Sequence, residues 1–130
     1  MEVKKMNFKG YIPTRVLFGT GCLNDLHTQI MPGKKAMVVI SNGKSTRENG
    51  SLDRTLNELH QAGVETVLLD KVGANPLKSV VEEGGRFAKD NGRDFVVALG
   101  GGSVMDAAKI MATYALQPGD LWDYVAGATG

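Results

Sequence analysis

Cysteine is nearly absent: Cys22 stands alone in 130 residues, so no disulfide closes within the chain and the fold rests on packing. A reducing cytoplasm suits that usage, and neither a signal peptide nor an apolar stretch of membrane length is readable. A dominant charge is missing as well. Fifteen basic residues against 14 acidic ones leave +1, with no long run of either sign, so nothing steers the chain toward nucleic acid or a membrane surface. The expected ligand is small. Two familiar phosphate fingerprints also fail: G-x-x-x-x-G-K-[ST] occurs nowhere, and G-x-G-x-x-G, begun by Gly100 and Gly102, meets Met105 where its third glycine belongs.

Apolar residues and glycine are what the chain has in quantity. At 42% hydrophobic, one domain's length of chain buries a real core, and the 17 glycines fall at turns rather than in a low-complexity tract. Apolar runs at 36–40, 64–69 and 95–99 read as strands, the first and last buried on both faces. Between them, Leu52, Leu56 and Leu59 mark a helix with Ser51 as N-cap and Gly63 as its stop. Asn75 and Pro76 read as N-cap and first residue of a helix bearing Val80, Gly84, Phe87 and Ala88 and ending near Gly92. The βα repeat of about 30 residues is that of parallel crossover units. It predicts a Rossmann-like α/β fold, a parallel sheet with helices on both faces.

Residues 11–18, broken by Pro13, are expected as a β edge element able to pair with a second copy. Gly19, Thr20 and Gly21 then turn the chain into a short helix carrying Leu23, Leu26 and Ile30. Residues 120–124 read as another short helix, after which the chain ends on small residues, as a domain truncated before its next element would.

In a parallel sheet ligands gather outside the C-terminal strand ends, where three polar or glycine-rich segments lie. The first is Ser41, Asn42, Gly43, Lys44 and Ser45; the second reaches Asn75 and Pro76; the third is Gly100, Gly101, Gly102 and Ser103. In the third, a strand feeds glycines into a helix whose first N–H groups lack intrahelical acceptors, a ready site for phosphate. The helix carries Val104, Ala107, Ala108, Met111, Ala112 and Ala115 toward the sheet, and Asp106 and Lys109 stand three apart, spaced to pair.

Gly100, Gly101, Gly102, Ser103, Asp106, Ala108 and Lys109 match the signature G-G-G-S-x-x-D-x-A-K, by which the chain resembles the iron-containing (group III) alcohol dehydrogenases. The opening at residues 13–21 and the pair Asn75 and Pro76 support the resemblance, which covers essentially the whole sequence. It implies that Gly101, Gly102 and Ser103 hold the pyrophosphate of a nicotinamide dinucleotide and that Asn75 lies near the adenosine. Asp106 reads either as a partner of Lys109 or as a polar contact near the cofactor. Members that prefer NAD often carry an aspartate after the first buried strand; Ser41 stands there instead. Its loop offers hydroxyls, an amide and the cation of Lys44, so NADP(H) is favoured over NAD(H).

The resemblance further implies that residues 1–130 are the dinucleotide-binding domain of an enzyme transferring hydride between NADP(H) and a primary alcohol or aldehyde. Fe2+ or Zn2+ is expected only in a helical domain beyond this chain. His27 and His60 lie on separate predicted helices and read as surface residues, and Cys22 as a small buried hydrophobe. Without the rest of the enzyme the chain is expected to be inactive. Two alternatives stay open: a glycerol dehydrogenase or dehydroquinate synthase-like relative, and a stand-alone nucleotide-binding module without catalysis.

Overall fold

The computed structural model describes residues 15–73 and 78–116. Three parallel strands, β1 (Lys35–Ser41), β2 (Glu65–Val72) and β3 (Phe95–Ala98), stand in the order β2-β1-β3. Val38 sets the register, facing Leu68 on one side and Val97 on the other. As the central strand, β1 is buried from Ala36 to Ile40, and its alternation sorts two cores. Ala36, Val38 and Ile40 pack with Leu52 and Leu59 of α2 (Ser51–Gln61). Met37 and Val39 pack with Val81 and Ala88 of α3 (Lys78–Asp90) and with Val104, Ala107 and Met111 of α4 (Gly102–Leu116). Strand order and helix placement agree: two crossovers of one hand, leaving β1 and β2 in opposite directions across the sheet, lay their helices on opposite faces.

Small residues set the close approach of α3 and α4. A Cβ at Gly84 would lie 2.5 Å from Met111 Sδ, and one at Gly85 would lie 2.5 Å from Tyr114 Cδ1 and 3.2 Å from the Met111 carbonyl oxygen. The caps follow local chemistry. At the end of α2, Gly63 takes φ +77°, and the Val64 amide donates to the Leu59 carbonyl at 2.9 Å. Gly92 ends α3 likewise, at φ +63°.

Several expectations are corrected. Gly50, at φ 81°, is the N-cap of α2 in place of Ser51, whose amide donates to Asn49 Oδ1 at 2.9 Å, so a first-turn amide is satisfied from upstream and Ser51 is the first helical residue. β3 is half-buried throughout rather than buried on both faces, because among the described residues it pairs only with β1. Residues 15–18 form no strand and are exposed, with Phe18 fully so; the rest of the expected edge element, and with it the basis for pairing with a second copy, lies outside the described residues. The short helix after Gly21 is a 3-10 helix, Cys22–Thr28, and Ile30 lies beyond it in solvent. Asn75, Pro76 and residues 120–124 also fall outside the described residues.

Candidate functional site

The C-terminal ends of β1 and β3 adjoin, and the chain leaves them in opposite directions, β1 toward α2 on one face and β3 into α4 on the other. This is a topological switch point. The loop at 41–45 and the turn at 100–103 flank it. The β1–β3 ladder runs on to the Leu99 amide, which donates to the Val39 carbonyl at 3.0 Å, so Gly100 begins the turn directly at the sheet edge. Asn42 ties the first loop to the end of β2 by donating its amide to the Val72 carbonyl at 2.9 Å. Ser41 Oγ accepts the Gly43 amide at 3.2 Å, which folds the loop back on itself. Asn42, Gly43, Lys44 and Ser45 are exposed.

The three glycines do different work. Gly100 sits at φ +149°, and a Cβ there would meet Val104 Cγ2 at 3.0 Å, so the fold itself needs glycine. At Gly101 and Gly102 φ is not positive and nothing lies within 4 Å of an added Cβ. No packing inside the described residues requires glycine there; the backbone faces open space. Gly102 opens α4, and the Met105 amide, donating to the Gly101 carbonyl at 3.1 Å, closes its first turn. Ser103 stands in the turn, exposed.

Asp106 and Lys109, expected to pair, form no ion pair among the described residues; both are exposed on the outer face of α4. One half of the reading thus falls away, because side chains three apart on a solvated helix gain too little to hold one geometry. Nearer the first loop, Arg47 in α1 (Ser45–Glu48) donates from Nη2 to Asp70 Oδ2 at 2.8 Å. Lys71 is engaged by Glu83, whose hydrogen bond and charge raise the lysine's pKa. Thr46, between Ser45 and Arg47, is buried with no hydrogen-bond partner for Oγ1 among the described residues. The sequence points to Lys44 as the loop's cation and not to Arg47, three residues on, whose partner Asp70 stands a further 23 residues along the chain.

A cavity of about 540 Å³ lies elsewhere, along β3, lined by Leu17, Leu26, Ile30, Met31 and Phe95 and by none of the loop residues. Among the described residues no three of His, Cys, Asp and Glu converge to hold a metal, and no helix is long and apolar enough to cross a membrane.

A doubly wound parallel sheet with polar and glycine-rich loops at its switch point defines the class of α/β ligand-binding domains. Within it, the chain belongs to the iron-containing alcohol dehydrogenase family, whose family model matches residues 13–130. It is 35% identical over 119 residues to the probable NADH-dependent butanol dehydrogenase 1 of Bacillus subtilis, covering 92% of this chain and 31% of that protein. Against the NADPH-dependent butanol dehydrogenase of Clostridium saccharobutylicum the identity is 34% over 112 residues, covering 86% and 28%. The crystal structure of NADH-dependent butanol dehydrogenase A from Thermotoga maritima superposes with a TM-score of 0.87 at 34% identity, covering 95% of this chain and 31% of that one. The chain thus spans about a third of the length of these relatives.

Proposed function

We propose that this chain is the dinucleotide-binding domain of a metal-dependent alcohol dehydrogenase that works in the cytoplasm on a primary alcohol or aldehyde, with NADP(H) as its cofactor. The observation that carries the reading is the open backbone face at Gly101 and Gly102. Two glycines that the fold does not need sit at the N-terminus of a 15-residue helix, where a side chain would fill the space a pyrophosphate requires. The group fits the residues present: Gly100, Gly101, Gly102 and Ser103 would receive the pyrophosphate, while Ser41, Asn42, Gly43, Lys44 and Ser45 would receive the adenosine ribose and its phosphate. Asn75 and Pro76 are assigned to the adenosine side and Asp106 to the cofactor's vicinity on the family signature alone. When bound, the nicotinamide supplies or accepts the hydride.

The described residues do not fit a metal, so no step is derived through one; Fe2+ or Zn2+ is assigned to the remainder of the enzyme. In favour of NADP(H) stands the loop at 41–45, which lacks a carboxylate and carries Lys44. The relatives include both NADH- and NADPH-dependent enzymes. Titrating the chain with NADPH should give a saturable change in nicotinamide fluorescence, and Gly102→Leu should abolish it with the thermal melt unchanged. No saturable change up to millimolar ligand overturns the proposal.

A further inference from the structure

Arg47 closes the turn after the candidate ribose loop, its amide donating to the Lys44 carbonyl at 3.1 Å. Its guanidinium reaches across to β2 and bonds Asp70 through one nitrogen, Nη2, at 2.8 Å. Asp70 lies two residues before Val72, the residue that faces Ser41 across a register shift. The guanidinium is therefore held at the strand end from which the loop departs. Both partners are about half exposed, 45% and 50%. Such a pair contributes little to stability, so its geometry can be exchanged at small cost. A guanidinium has five donors, and one carboxylate oxygen engages only one of its nitrogens here; a dianionic phosphate offers more charge and a matching set of acceptors. The other nearby cation on β2, Lys71, is already taken by Glu83.

We propose that Arg47, positioned by Asp70, is the residue that selects the phosphorylated ribose, exchanging its carboxylate partner for the 2′-phosphate when NADP(H) binds. This rests on the reading of the chain as a dinucleotide-binding domain and adds the specificity residue. The phosphate then meets two cations, Lys44 as a solvated point charge and Arg47 as an oriented fork. Asp70 sets the discrimination from behind: its charge opposes the incoming phosphate, so it limits how strongly Arg47 favours it.

The test is the ratio of dissociation constants for NADH and NADPH, measured by nicotinamide fluorescence on the chain and its variants, with the thermal melt of each as the check on folding. Arg47→Gln should lower the ratio of NADH to NADPH constants about tenfold, the loss of one charge-assisted interaction. Arg47→Lys should recover part of it, since it restores charge without the fork. Asp70→Asn, which keeps an acceptor but removes the opposing charge, should raise the ratio, and the preference should shrink with added salt. A ratio left unmoved by Arg47→Gln, or lowered by both Arg47→Gln and Asp70→Asn, overturns the inference while leaving dinucleotide binding intact. A wild-type chain that binds neither cofactor overturns the underlying reading, and the inference with it.

Discussion

At the scale of single residues, the glycine turn separates into positions that serve the fold and positions that face outward. Gly100→Ala forces a Cβ into Val104 and strains a φ of +149°, so a loss of about 1–3 kcal/mol is expected in urea denaturation. Gly101→Ala meets open space at an ordinary φ and should leave stability unchanged or raise it by up to about 1 kcal/mol through reduced freedom of the unfolded chain, while weakening NADPH binding. Equal destabilisation by both substitutions would show that the three glycines act as one structural unit. In the sequence they are indistinguishable, since composition carries neither φ nor the position of Val104. The same holds for Arg47: that a cation lies near Lys44 is legible, but its pairing with Asp70 depends on where β2 falls beside β1, which only the strand order settles.

At the scale of elements, the apolar runs and their turn residues were enough to place three strands and the helices between them, because period and punctuation are local. Burial of β3 was not legible, since a strand with the composition of a central one pairs only with β1 among the described residues. Nor was the clasp between the 3-10 helix and α2. His27 donates its amide to Glu58 Oε2 at 2.8 Å and brings Nδ1 within 2.5 Å of the same oxygen, and Glu58 is buried. The amide's hydrogen bond, with the imidazole behind it, holds the Glu58 carboxyl below its ordinary value of 4.5. A lowered folded-state pKa contributes stability that is present above the unfolded value and lost as pH falls through the folded one. The docking of residues 22–28 on α2 should therefore loosen below about pH 4.5. Amide hydrogen exchange at His27 measures this, and Glu58→Gln should remove most of its acid dependence. An exchange rate whose pH response is the same in the variant would assign the acid sensitivity to another group, Asp94 first among them, whose carboxyl is lowered by the amides of Lys34 and Lys35.

At the scale of the whole molecule, one strand joins two cores. β1 sends Ala36, Val38 and Ile40 to the α2 face and Met37 and Val39 to the α3 and α4 face, and its C-terminal end carries the candidate site. A site at a switch point is thus fixed by both cores: the loop at 41–45 leads to α1 and α2, the turn at 100–103 to α4. Leu59 and Met111 are fully buried, one on each side of the sheet. Leu59→Ala and Met111→Ala should each cost about 2–5 kcal/mol, and because the side chains share no cluster their effects should add to within about 0.5 kcal/mol in the double variant. Destabilisation on either face should also weaken dinucleotide binding only as far as it lowers the folded fraction, since neither residue lines the candidate site. If one variant instead melts its half of the sheet in a separate transition, the two faces fold independently and β1 does not couple them. A single transition with additive losses would mean that the loop at 41–45 and the turn at 100–103 are held in one frame, as a ligand that bridges both requires.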